Sequence, residues 1–332
     1  MSDEHWPVLV TRRLPKGPMA AIRERTDADV WDDEGAIPRD ELLRRLAGKR
    51  GAVTLLTERV DDEFLDAAGP ELIIVANYAV GFDNIDVPAL TKRGVMATNT
   101  PEVLTETTAD TAWALLMAAA RRVPEGDRFL RAGTTWIWGP EMMLGQDIHG
   151  KTLGVVGFGR IGQAVARRGQ GFGMRVVYHD LYRPPEEVER SLDAEFRELD
   201  QLLAESDFIS IHVALTPDTR HMFSADQFRA MKPTAVIVNT SRGPVIDEAA
   251  LAAALRDGEL FAAGLDVFEK EPEVDADLLA QPNAVVIPHL GSATVETRDA
   301  MGMLAAENLI SGLEGRKPPT LLNPEVWEAR ST

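Results

Sequence analysis

Gly157-Phe158-Gly159-Arg160-Ile161-Gly162 follows the apolar run Thr152–Val156 and opens a helical stretch over residues 160–168. Strand, glycine turn and helix in that order are what a dinucleotide-binding βα turn requires. Gly157 permits the tight turn, Gly159 lets the backbone approach a pyrophosphate, and Gly162 allows close packing of helix on strand. The helix start adds N–H groups and the positive end of its dipole. Gly157, Phe158, Gly159, Arg160, Ile161 and Gly162 are therefore expected to bind the cofactor. A tight turn that holds no ligand is the bland alternative. Against it stands Asp180, directly after the strand pattern Arg175–His179 and about twenty residues beyond the loop, where a ribose-binding acid belongs. Its carboxylate can accept from both ribose hydroxyls and repels a 2′-phosphate, which favours NAD. Arg183 lies close enough in sequence to soften that repulsion, so NADP stays open.

On either side of this turn the chain alternates strand and helix patterns. Towards the carboxyl end, strands are expected at residues 208–213, 235–239, 261–267 and 284–287, with helical patterns between most of them. Towards the amino end, residues 8–11, 51–56, 71–76 and 94–97 read as strands of a second parallel sheet. Residues 105–122 form a strong helical pattern with Ala109, Ala112, Leu116 and Ala119 on one face. Residues 132–147, rich in Gly, Trp and Met without periodicity, read as a loop whose tryptophans suggest an oligomer contact. The amphipathic stretch Val295–Leu313 is expected to return to the first unit. No internal repeat and no low-complexity tract interrupts this α/β pattern.

In an open parallel sheet, ligands bind beyond the carboxyl ends of the strands. The chemically capable residues there are Arg242 in Asn239-Thr240-Ser241-Arg242-Gly243, Asp266 and Glu271 in the segment 264–272, and His289 in Pro288-His289-Leu290-Gly291. Reduction of a 2-oxo acid needs a hydride donor, a proton donor for the nascent alkoxide, and a cation for the carboxylate. His289 suits the proton donor, and a neighbouring carboxylate such as Glu271 would favour its imidazolium form. Arg242 suits the anion grip. Each has a plain competitor: Arg242 as a structural cation, Glu271 as a solvated acid, Asp266 as a helix cap. Of the six histidines, His5 is terminal, His221 suggests a surface turn, His149 precedes a strand, and His179 and His212 sit at strand ends where packing would explain them.

Composition bounds the rest. With 332 residues, 45% of them hydrophobic, two domains and a cleft are expected. The formal net charge of -18 opposes nucleic acid and anionic membranes as partners, and makes an anionic substrate depend on a local cation. The absence of cysteine removes disulfides, thiolate zinc sites, iron–sulfur clusters and a cysteine nucleophile, and no metal site is expected. Met1-Ser2-Asp3-Glu4-His5-Trp6-Pro7 lacks the pattern of a signal peptide, and no apolar run reaches membrane-spanning length, so a cytoplasmic protein is expected.

Val75-Ala76-Asn77-Tyr78-Ala79-Val80-Gly81-Phe82-Asp83-Asn84-Ile85-Asp86, the Gly157 loop, Thr240-Ser241-Arg242-Gly243, and the segments 266–272 and 288–294 together resemble the D-isomer-specific 2-hydroxyacid dehydrogenases, especially the glyoxylate/hydroxypyruvate reductases. The resemblance runs from about residue 51 to the end of the chain. It implies catalytic roles for Arg242, Glu271 and His289, with the Glu tuning the His and the His moving the proton. It places Asp266 at the nicotinamide amide, and Thr240, Ser241, Arg242, His289 and Gly291 beside the cofactor. The substrate is then held by Arg242, His289 and the backbone N–H groups of Val80 and Gly81. The implied fold is a Rossmann NAD-binding domain, residues 102–289, inserted in a discontinuous flavodoxin-like substrate domain, residues 1–101 and 290–332. The implied assembly is a homodimer around the nucleotide domains, with the Trp136/Trp138 loop reaching the neighbouring subunit's site. Leu56, Tyr78, Phe82 and Met143 are candidate pocket residues, with core packing the competing and commoner role for any one of them, and Ala214 stands where relatives often have proline, which implies a small change in loop stiffness. The competing functions are a dehydrogenase for a larger 2-oxo acid and a non-catalytic NAD-sensing protein like the transcriptional corepressors.

Overall fold

The computed structural model describes residues 5–330; Met1 to Glu4, on which part of the signal-peptide expectation falls, lie outside the described residues. Along the chain run β1 (Trp6–Val10), α1 (Lys16–Arg25), β2 (Thr26–Val30), α2 (Arg39–Leu46), β3 (Gly51–Thr54), α3 (Asp62–Ala68), β4 (Ile74–Asn77), α4 (Val87–Lys92), β5 (Met96–Thr98), α5 (Thr105–Ala120) and α6 (Val123–Arg131). There follow β6 (Thr152–Val156), α7 (Arg160–Gly171), β7 (Arg175–His179), α8 (Glu186–Leu192), β8 (Ala194–Phe196), α9 (Leu199–Glu205), β9 (Phe208–Ile211), α10 (Ala225–Ala230), β10 (Val236–Asn239), α11 (Glu248–Arg256), β11 (Ala262–Leu265), α12 (Ala276–Leu279), β12 (Ala284–Val286), α13 (Val295–Leu313) and α14 (Pro324–Arg330). The chain divides into two compact units, one running to Leu104 and resuming at Ala293, the other Thr105–Ser292.

In the first unit all strands are parallel, in the order β2-β1-β3-β4-β5. This is the flavodoxin-like order. The central strands β3 and β4 are buried along their whole length, as strands covered on both faces must be. Helix α13 lies over them, and its buried Asn308 donates to the Asn99 carbonyl at 3.3 Å, so the returning tail is tied to the end of β5. β2 escaped the sequence pattern. Its residues, Thr-Asp-Ala-Asp-Val, form an edge that pairs only with β1, and polar side chains there blunt further strand pairing while weakening the apolar signal.

The second unit holds seven parallel strands in the order β12-β11-β10-β9-β6-β7-β8. Chain order runs outward from β6 through β7 to β8 on one side and from β9 to β12 on the other, so the direction reverses between β6 and β9. That switch point is where a doubly wound sheet opens a crevice for ligands. One face of the sheet packs on α5 and α7, where Trp113 stacks on Phe172 at 4.7 Å and donates to the Val165 carbonyl at 3.0 Å. The other face buries Ile209, Ile211, Phe223 and Phe228. Each such buried side chain contributes about 1.5–3 kcal/mol relative to exposure. β8, three residues on an edge, is too short to announce itself in sequence. The loop after α6 carries no helix or strand and exposes Ile137 (88%) and Trp138 (77%). Among the described residues, no helix is long and apolar enough to cross a membrane.

Candidate active site

The glycine turn sits at the switch point. Gly157 has φ +91, and a Cβ there would come within 2.6 Å of the His212 carbonyl carbon at the end of β9, so the fold itself demands glycine. A Cβ on Gly162 would meet the Gly157 carbonyl oxygen at 2.1 Å. Gly159 differs: its φ of -71 suits any residue, and an added Cβ would meet nothing within 4 Å. It caps α7 with no side-chain hydrogen bond, so the first N–H groups of that helix face an open cradle. The chain has no internal use for a bare backbone at that position, whereas a pyrophosphate approaching the helix start does. Asp180 belongs to the same cradle. Its Oδ2 accepts from Phe158 N–H at 2.6 Å and its Oδ1 from Tyr182 N–H at 3.0 Å, and each oxygen keeps a lone pair for a ribose hydroxyl. These residues fit a dinucleotide.

Beyond β10, β11 and β12 the remaining candidates converge. Buried Asn239 shapes the turn after β10: its Oδ1 accepts from Ser241 N–H (2.9 Å) and Oγ (2.8 Å), and its Nδ2 donates to the Arg242 carbonyl (2.9 Å). A Cβ on Gly243 would lie 1.9 Å from the Phe268 carbonyl carbon, so this turn presses directly on the loop that carries Glu271. Glu271 Oε1 accepts from Phe268 N–H at 3.0 Å, and its Oε2 lies 2.8 Å from His289 Nδ1. Burial pushes the Glu271 carboxyl upward, but the His289 hydrogen bond and charge, the Phe268 N–H and the Arg242 charge outweigh it and hold the group below its ordinary range. An imidazole whose Nδ1 faces a carboxylate presents Nε2 to whatever else approaches.

Asp266 has a mechanical task. It is 1% exposed, and its two carboxylate oxygens accept from the N–H groups of Leu290 and Gly291, the latter at 2.7 Å, while its carbonyl accepts from His289 N–H at 2.8 Å. Burial raises its carboxyl above the usual range against the pull of those two N–H donors. The clamp holds His289 at φ +52, a left-handed conformation that a histidine adopts only when its surroundings enforce it. Asn239 and the Asp266 clamp escaped sequence reasoning. A polar residue closing each of two apolar strands was the available signal.

In the first unit, the loop after β4 is held by its carbonyls. Thr100 N–H donates to Ala79 O (2.9 Å), Asn99 Nδ2 to Val80 O (2.8 Å) and Asn77 Nδ2 to Gly81 O (3.1 Å). Asn84 Nδ2 ties the same region to Leu55 O and Glu58 O, and buried Glu58 accepts from Leu55 N–H and the Thr11 and Thr57 hydroxyls. With three consecutive carbonyls engaged, the Val80 and Gly81 N–H groups make no hydrogen bond among the described residues. Of the candidate pocket residues, Tyr78 proves to be core: it is 5% exposed and its hydroxyl donates to Arg298 O at 2.7 Å. Leu56 and Phe82 are exposed at the surface of this unit.

A doubly wound sheet with an open glycine cradle at its switch point, and a carboxylate-backed imidazole beside a guanidinium at its strand ends, is equipment for pyridine-nucleotide chemistry on an anion. Residues 113–291 match the family model described as "D-isomer specific 2-hydroxyacid dehydrogenase, NAD binding domain". A glyoxylate reductase of Thermococcus onnurineus is 51% identical over 328 residues, 97% of each chain. Among solved structures, the TT0316 protein of Thermus thermophilus is 46% identical with a TM-score of 0.88, covering 95% of this chain and 99% of that one. An NADPH-dependent glyoxylate/hydroxypyruvate reductase of Sinorhizobium meliloti, solved with NADP and malonate, is 33% identical with a TM-score of 0.82, covering 96% and 97%. The chain belongs to the D-isomer-specific 2-hydroxyacid dehydrogenases. It is an oxidoreductase acting on CH–OH donors, with an NAD-binding domain.

Proposed function

We propose that this protein reduces glyoxylate or hydroxypyruvate to the D-2-hydroxy acid with NADH as reductant, residues 105–292 binding the dinucleotide and supplying Arg242 and His289 to the substrate. The observation that carries the reading is the Glu271–His289 pair, 2.8 Å apart, next to the turn that bears Arg242. The reaction consumes one 2-oxo acid, one NADH and one proton, and releases the 2-hydroxy acid and NAD. The bound nicotinamide supplies the hydride. Arg242 grips the carboxylate and polarises the carbonyl, and the Val80 and Gly81 N–H groups are neutral donors suited to a carboxylate. His289 Nε2 delivers the proton to the nascent alkoxide, and Glu271 stabilises the imidazolium that holds it. Asp266 fixes the His289 loop and would meet the nicotinamide amide when the cofactor is bound. Local cations are necessary because the chain as a whole, at -18, repels its own substrate.

The assembly proposed is a homodimer, with the exposed Trp136 and Trp138 loop as part of the contact. The initial rate of NADH loss with glyoxylate, hydroxypyruvate, pyruvate and a branched 2-oxo acid tests the reading. Preferred turnover of the first two supports it. Preferred turnover of the branched acid moves the substrate to a larger class, and NADH binding without turnover of any acid replaces the enzyme with a nucleotide sensor.

A further inference from the structure

A chain of contacts leads from the glycine turn to Arg183. Phe158 stacks on the ring of Tyr178 at 4.1 Å and 20°. Tyr178 is 0% exposed, and its hydroxyl donates to Glu189 Oε1. Arg183 donates to that same oxygen through Nε (3.1 Å) and Nη2 (2.7 Å), and its guanidinium lies 5.1 Å from the centre of the Phe196 ring. The Glu189 side chain is 15% exposed and that of Arg183 60%, so the carboxylate is the fixed member and the guanidinium the docked one. The hydrogen bonds from Tyr178 and Arg183 also keep the Glu189 carboxyl below its ordinary range, so it is ionised at neutral pH.

The two charged groups that follow β7 therefore act in opposite senses on a 2′-phosphate. Asp180, held against the glycine turn, disfavours a 2′-phosphate. Arg183, three residues on, is the cation that would offset it. We propose that Glu189 is a specificity determinant: by pinning and neutralising Arg183 it withholds that cation from a 2′-phosphate and so sets the preference for NADH over NADPH. An ion pair with an exposed partner is a weak lock, so NADPH is discouraged and not refused. The proposal rests on the dinucleotide reading of the glycine turn.

The test is equilibrium binding of NADH and NADPH to the full chain by fluorescence titration, with competition by 2′-AMP and 5′-AMP, for the wild type, Glu189→Gln and Glu189→Gln with Arg183→Ala. Gln keeps an acceptor for Tyr178 and removes the charge. In Glu189→Gln, NADPH and 2′-AMP should bind about fivefold more tightly while NADH and 5′-AMP are unchanged, and Arg183→Ala should erase that gain. Equal loss of both dinucleotides, or an unmoved ratio, overturns the proposal by reducing Glu189 to a structural support for Tyr178. A gain that survives Arg183→Ala also overturns it, since charge removal alone would then suffice. Absence of NADH binding to the wild type would sink the dinucleotide reading itself, a result distinct from normal NADH binding with an unmoved ratio.

Discussion

His289 is held in place from two sides, by the Asp266 clamp on the backbone and by Glu271 on the ring. Removing the ring should therefore remove chemistry and little else. In His289→Ala, kcat should fall about a hundredfold to ten-thousandfold, the size of a lost general acid. NADH affinity and thermal unfolding should stay near wild type, and near-normal kcat would strip His289 of the proton role. Arg242→Ala should instead raise KM for the 2-oxo acid and lower kcat/KM about a hundredfold, as expected for loss of a charge-assisted grip on a carboxylate. Unchanged kcat/KM would take Arg242 out of the substrate site. The Glu271 carboxyl is held below 4.5, so its stabilising charge is present above that pH and is lost only as the pH falls through the depressed value. The pH profile of kcat/KM should consequently show no acid limb above about pH 5 from this carboxyl. A limb there that disappears in Glu271→Gln would contradict the depressed value.

Among the elements, the glycine turn between β6 and α7 separates what the fold needs from what the ligand needs. Gly162 packs against the Gly157 carbonyl, so Gly162→Ala should destabilise the protein by about 1–3 kcal/mol, the usual cost of overpacking. Gly159 faces open space, so Gly159→Ala should leave the unfolding temperature unchanged and weaken dinucleotide binding. Thermal unfolding and NADH titration on both variants check this, and a Gly159→Ala chain that binds NADH normally would empty the cradle of its meaning. The turn was legible because its spacing and its neighbours are local. The strands β6 and β7 carry the boundaries expected from their apolar runs and β10 ends where expected, whereas β9, β11 and β12 stop one or two residues early, where the chain leaves the ladder for the loops beyond the strand ends. β2 and β8 were illegible because edge strands need little apolar surface.

The whole molecule exposes Trp136, Ile137 and Trp138 together on an irregular loop, an unusual density of apolar surface for a chain with a net charge of -18. In the proposed homodimer, replacing Trp136 and Trp138 by serine should shift the sedimenting species from two chains to one while the far-ultraviolet circular dichroism is retained. An unchanged mass would remove the loop from the interface. By itself the sequence determined the α/β class, the glycine turn with the acid that follows β7, and the residue types at the strand ends, because these follow from backbone sterics and side-chain alternation over short spans. Tertiary structure alone decided that Asp266 commits its carboxylate to a loop 25 residues away and that Glu189 rather than solvent receives Arg183, and it set the 2.8 Å separation of Glu271 and His289. The reason is physical. Such pairings depend on which strand ends the sheet order brings side by side and how far each loop is pressed on the next, and no local pattern encodes those distances.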